Sequence, residues 1–263
     1  MKFAGAVLAL LILAGLAGCA AWHPRGETGP LPGFHASAAD PRVWVPSGSE
    51  VLAGRVSEIL DEAIARVEAV HGQPFKSSPV IHVCPDDACF ARHVRTPRLT
   101  AAVVADNRLI LSPRLFAKES WRLPGILRHE LSHVHLGQRA GHYSAWIPVW
   151  FHEGLATLVA DGAGAEFASP FLTEVAWNEG RQIDFAARDN PDRRHRAMAF
   201  ALNIHQFYLQ AWRFVAFLRA RDPTAFHAWL IALQEGADFH IALGDAYNTG
   251  IKDLAAEYAR LHP

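Results

Sequence analysis

The 263-residue chain carries no excess charge of either sign, with 25 Lys and Arg against 26 Asp and Glu. With no basic surplus to neutralise phosphates, nucleic acid is excluded as an expected partner. Its one basic cluster, Arg193-Arg194-His195-Arg196, follows Asp189, Asn190, Pro191 and Asp192 and reads as a solvated loop. Internal repeats and long low-complexity tracts are absent, which sets aside repeat architectures. Long apolar runs are also missing: Phe3–Leu16 is too short and too near the N-terminus to favour a stable span. Cysteine and methionine are scarce, at three and two residues. What is abundant is apolar residues, 51% of the chain, enough for a sizeable folded core.

The first residues, MKFAGAVLALLILAGLAGCA, combine Lys2, the apolar run and small residues before Cys19, and read as an export signal. Leu16-Ala17-Gly18-Cys19 resembles the lipobox of bacterial lipoproteins. That resemblance implies cleavage before Cys19 and a lipid on its sulfur that anchors the chain to a membrane of the bacterial cell envelope. Ala20 after the cysteine fits the outer membrane, facing the periplasm, if the source is Gram-negative. The alternative is an ordinary secretory signal with an incidental cysteine. Residues 1–18 are thus expected as signal peptide. Residues 19–46, with Pro24, Gly26, Gly29, Pro30, Pro32, Gly33 and Pro41 and no sustained period, are expected as a flexible tether. Residues 47–263 form the folded domain. Cys84 and Cys89 remain as an even pair in an oxidising compartment and are expected to form a disulfide around Pro85-Asp86-Asp87. A metal site with His82, or two free thiols, are the other readings.

Ser47 to Glu50 has capping-box spacing, and apolar residues from Leu52 to Val70 then follow a helical period that stops at Gly72. SPVIHVC reads as a strand, and LTAAVVADNRLILSP as a hairpin turning at Asp106-Asn107. Helices are expected around Pro124–Gly137, Val149–Ala160, Asn203–Arg221, Thr224–Leu233 and Ile251–Leu261. The order predicts an α+β fold, a small antiparallel sheet followed by a mainly helical domain.

RHELSHVHLG, residues 128–137, contains H-E-x-x-H. With 15 histidines and 13 glutamates, random placement would produce that pattern about 4% of the time, so it needs a second witness. On a helix His129 and His133 share one face, with Leu127, Leu131 and Val134 mostly behind them. Glu130, about 100° from His129, is turned away from that coordination but can reach a water on the metal. His135, about 200° from His133, cannot join the same ion. His142 can do so only if the chain reverses after Gly137. The H-E-x-x-H-x-x-G-x-x-H pattern fails, since position 136 is Leu and position 139 is Arg.

The second witness is IPVWFHEGLATLVA. Together with H-E-x-x-H it resembles the gluzincin zinc metallopeptidases of the peptidase-MA-like branch, which continue with P-x-W-[apolar]-x-E-G-[apolar]-A. Pro148, Trp150, Phe151, Glu153, Gly154, Leu155 and Ala156 match in register. The resemblance implies a zincin-like fold, Zn2+ held by His129, His133 and Glu153, and a peptide or protein substrate. Glu130 would be the general base, taking a proton from water and passing it to the leaving amine. Tyr208, in HQFYLQAWRFVAFLRARDP, would donate to the oxyanion, with His205 as its rival. The strand before the active-site helix, near Arg108–Leu111, would bind substrate by main-chain pairing.

Two departures from the family pattern bear on specificity. The aminopeptidases' G-x-M-E-N segment is missing, because methionine occurs only at Met1 and Met198. Internal cleavage is therefore expected, unless an acid such as Glu119 or Glu166 anchors a free amine. Thr157 stands where the thermolysin-like branch has an Asp that orients a histidine, so another residue or a carbonyl must do this. His152, next to Glu153, reads as solvent-facing, with substrate contact as the alternative. The alternatives are a non-catalytic zinc-binding envelope lipoprotein, which would be expected to lose Glu130, and a metal-free structural lipoprotein, which leaves 148–156 unexplained.

Overall fold

The computed structural model describes residues 31–94, 101–105 and 108–261. The expected signal peptide, Cys19 and the turn at Asp106-Asn107 lie outside these residues. The described chain is mainly helical with one small sheet, an α+β arrangement.

The strands are β1 (His35–Ala36), β2 (Val43–Val45), β3 (Ile81–Val83), β4 (Ala102–Ala105) and β5 (Arg108–Leu111), ordered β1-β2-β3-β5-β4. The sheet is mixed, which corrects the antiparallel expectation. β1/β2 and β4/β5 are antiparallel, but β2/β3 and β3/β5 are parallel. The reason is connectivity. Helix α1 (Glu50–His71) carries the chain back from β2 so that β3 starts at the same end. After β3 the chain reaches the edge as β4 and returns as β5, which inserts between β3 and β4. β5 is thus internal, and Leu109, Ile110 and Leu111 are all buried, as suits a strand covered on both faces.

Residues 31–46 are not tether. They supply β1 and β2, and Leu31, Val43 and Val45 are buried. Their prolines and glycines shape turns around strands too short to show a period. α1 begins at Glu50 with Ser49 as its N-cap, so the capping box from Ser47 does not form. It ends at Gly72, whose φ of 74° is the left-handed conformation that favours glycine there.

The sheet separates two cores. Ile81, Val83, Leu109 and Leu111 face the main one with the helices. Ile110 faces a smaller one with Leu31, Phe90 and the cysteines. Cys84 and Cys89 are joined, with Cα atoms 5.4 Å apart. The loop they close contains the start of α2 (Asp87–His93), capped by Asp86, which accepts from the Cys89 amide at 2.7 Å.

The remaining helices are α3 (Leu123–Ala140), α4 (Val149–Val159), α5 (Pro170–Asn178), α6 (Ile204–Arg221), α7 (Pro223–Gln234), α8 (Phe239–Tyr247) and α9 (Ile251–Leu261). α4 packs most extensively on α6. Gly154 makes this approach possible: a Cβ there would lie 2.6 Å from the Ala211 carbonyl and 2.7 Å from Val215 Cγ2. Trp150, Phe151, Phe185, Phe214, Trp229 and Phe239 form a continuous aromatic core beneath α4. Among the described residues no helix is long and apolar enough to cross a membrane.

Candidate metal centre

Helix α3 is buried on nearly every side. Leu127, Leu131 and Val134 sit in the main core while His129 and His133 face α4. Glu153 projects from α4 toward both histidines, its Oε2 lying 3.3 Å from His129 Nε2 and 3.4 Å from His133 Nε2. The ligand atoms of the three residues all lie within 4.8 Å of one another. A tetrahedral ion with bonds of about 2.0–2.1 Å spaces its ligands by about 3.4 Å, which the two separations from Glu153 match. His133 Nε2 is buried without a hydrogen-bond partner. An orphaned imidazole nitrogen aimed at a carboxylate and a second imidazole suits a cation, so this group can hold a metal ion.

Burial alone would push the Glu153 carboxyl up, but His133 and His129 hold it well below the usual carboxylate range. Glu130 behaves in the opposite way. Burial raises its pKa to about 7; Glu153 adds to the rise and His129 opposes it. Its Oε2 is buried and unpartnered. Two neighbouring carboxyls are therefore driven apart, one fixed as an anion and the other poised near neutrality.

The missing Asp is replaced by main chain. His129 Nδ1 donates to the Ala163 carbonyl at 3.1 Å, which directs Nε2 toward Glu153. Thr157 is fully buried, and its hydroxyl makes no hydrogen bond. Ala163 belongs to a turn after α4 in which Gly162 and Gly164 have φ near 100°. Glu166 pins this turn by accepting from the Gly164 amide at 2.7 Å, and Arg122 in turn donates to Glu166 at 2.7 Å. Glu119 also pairs with Arg122 and with Arg114. Both acids considered as amine anchors are thus occupied by arginines.

The other sequence candidates fall as follows. The Tyr208 ring lies beside His129, with centroids 5.7 Å apart. His205, one turn earlier on α6, bonds the Gly164 carbonyl through Nδ1 at 2.8 Å. His142 is exposed and packs on Tyr143, apart from the cluster. His135 points the other way, its Nδ1 2.9 Å from that of fully buried His71, which also bonds Ser132. His152 is not solvent-facing. Its Nε2 bonds the Ser144 carbonyl at 3.0 Å and its ring lies 6.1 Å from that of His133. Burial, with help from Arg194 and His133, lowers its pKa to about 3. Arg108–Leu111 cannot add a substrate strand, because β3 and β4 occupy both its edges; among the described residues the edge strands are β1 and β4.

Two residues near the site escaped the sequence reading. Asp189 is buried and its Oδ2 accepts from the Val149 amide at 2.9 Å, capping α4 from forty residues away. Arg194 is only 18% exposed in its side chain, unlike exposed Arg193, so the solvated-loop expectation fails for it. No signal short of the tertiary contact marks either one. No protein-family model matches the chain, and no curated protein matches it.

Proposed function

We propose that the protein is a zinc-dependent peptidase of gluzincin type, carried to the bacterial envelope by a lipid on Cys19. The observation that carries this reading is an unpartnered, buried Glu130 carboxyl beside a His-His-Glu cluster, on the two segments that resemble that family. His129, His133 and Glu153 would hold the ion. A zinc so held supplies Lewis acidity toward a carbonyl and makes water acidic near about pH 7.

Glu130 accepts the proton of the attacking water and returns it to the leaving amine; a carboxyl with a pKa of about 7 serves in both directions at neutral pH. Tyr208, beside His129, is the donor assigned to the developing oxyanion. An extended peptide pairs with the edge strand β4, which needs no chain terminus. With Glu119 and Glu166 engaged by arginines, no anchor for a free amine is apparent among the described residues, and cleavage is internal.

The test uses protein purified from membranes. Mass spectrometry and metal analysis should find a lipidated Cys19 and about one zinc per chain. Glu130→Gln should retain the zinc and lose about a thousandfold in peptide turnover. Zinc-free wild type, or undiminished turnover by Glu130→Gln, would remove the reading.

A further inference from the structure

The layer next to the metal centre holds a cavity that the proposed chemistry does not use. On α6, Tyr208 stands beside His129, and Trp212 lies one turn further on. On α3, Gly125 lies one turn before His129. Trp212 and Gly125 both border an open cavity of about 420 Å³. Its layer therefore follows the metal's at a spacing of about 5.4 Å, one helical turn.

The turn after α4 is the partition between the two. Toward the metal, the Ala163 carbonyl bonds His129 Nδ1, and a Cβ on Gly164 would meet His129 and Tyr208. Toward the cavity, a Cβ on Gly162 would meet the Trp212 ring at 3.1 Å, and one on Gly125 would meet the Ala163 methyl at 2.6 Å. Glycine at 125 thus lets the turn approach α3, and glycine at 162 leaves room for the indole. Ala165, Ala168, Pro170 and Leu209 continue the apolar lining. Large aromatics stand at the mouth. Trp121 lines it and is 64% exposed, and Phe167, 55% exposed, meets Trp121 edge-on with centroids 6.2 Å apart. A hollow of this size with exposed rings at its rim has the form of a binding site.

The charges at the wall narrow what it takes. Arg122 borders the cavity, but its guanidinium is committed to Glu119 and Glu166. Asp161 also borders it and is paired with Arg66 and Arg128. With each of these charges met by a partner, neither an anionic nor a cationic ligand gains there. Two indoles and an alkyl lining suit a neutral aromatic ring. A bilayer is the poorer fit, because the surface is concave and carries the Arg122–Glu166 ion pair in its wall.

We propose that this cavity binds the neutral aromatic side chain of a peptide, held one helical turn from the metal centre. As a binding site it stands without the peptidase reading. As a determinant of which peptides are cut it rests on that reading.

The experiment titrates N-acetylated, amidated alanine pentapeptides with Trp, Leu, Glu, Lys or Ala at the centre into Glu130→Gln protein with zinc present, by calorimetry. The Trp peptide should bind about tenfold tighter than the Ala peptide and about fivefold tighter than the Leu peptide. The Glu and Lys peptides should bind no tighter than Ala. Two variants in the same background locate the binding: Trp121→Ala removes an exposed ring, and Ala168→Phe fills the cavity. Each should cut the preference for Trp over Ala to about twofold or less. Equal binding of all peptides, a Leu peptide as tight as Trp, or a Trp preference unchanged in either variant overturns the proposal. So does binding to phosphatidylcholine vesicles that both variants abolish, with no peptide bound, which would make the patch a membrane contact. Peptide cleavage by wild type with no aromatic preference in binding overturns the cavity assignment and leaves the peptidase reading standing. The binding preference with no cleavage by wild type does the reverse.

Discussion

Gly164 carries two constraints at once. Its φ is +99°, and a Cβ there would lie 3.0 Å from His129 Cε1, 3.1 Å from its Nδ1 and 3.1 Å from Tyr208 Cδ2. A side chain would strain the backbone by about 1–2 kcal/mol. It would also push against the ring whose orientation the neighbouring Ala163 carbonyl sets. Gly164→Ala should therefore weaken metal affinity about tenfold, the size of effect that loss of an orienting contact has elsewhere. Competition against a graded chelator measures this, and wild-type affinity in the variant would show that the turn does not fix His129. At the same scale, Glu130, whose pKa burial raises to about 7, and Glu153, which His133 and His129 hold well below the usual carboxylate range, show how one site keeps two carboxyls in different charge states.

At the scale of elements, α4 is the piece that brings the ligand set together. It has no side-chain cap of its own at Pro148, and Asp189 supplies one from a distant loop. Its position against α6 depends on Gly154. Alanine there gains about 1 kcal/mol in helix propensity. The clash with the Ala211 carbonyl and Val215 opposes that gain, and neither is the loose end of a long side chain. Overpacking of this kind costs about 1–3 kcal/mol, so Gly154→Ala should lower the urea midpoint at unchanged slope. A neutral or raised midpoint would mean that α4 and α6 slide apart freely, and Glu153 would then be less firmly placed.

For the whole molecule, stability should depend on pH through histidines buried as neutral rings. His82 is fully buried, and burial first, then the charges of Arg108 and His93, lowers its pKa from 6.5 to about 4. Its Nε2 accepts from the Leu31 amide at 3.3 Å, which requires an unprotonated nitrogen. The unfolded chain binds a proton below about pH 6.5 and the folded one refuses it until about pH 4, so stability is lost as pH falls through that window. By about pH 5 the loss from this residue is about 2 kcal/mol. His82→Gln keeps an acceptor and removes the titration. Chemical denaturation at neutral pH and at about pH 5 should show a loss smaller by about 2 kcal/mol in the variant. An equal loss would assign the dependence to other buried rings such as His71 and His135, whose pKa values are lowered too.

By itself the sequence determined the features that are local or periodic. The long amphipathic helices α1, α3, α6 and α9 were legible because apolar residues recur at a helical period over several turns. The β4–β5 hairpin was legible from two short apolar runs around Asp106-Asn107. The group that can hold a metal ion was legible because two of its members lie one turn apart and the third sits in its own recognisable segment. Only the tertiary structure decided that residues 31–46 belong to the sheet, that its central pairs are parallel, and that β5 is internal. Strands of two to four residues carry too little pattern to reveal their partners. The short helices α2, α5 and α8 were missed for the same reason. The Ala163 carbonyl, the Asp189 cap and the Arg194 guanidinium were not legible either. Each acts on a residue far along the chain, and such a contact exists only once the packing of α3, α4 and α6 has placed both partners together.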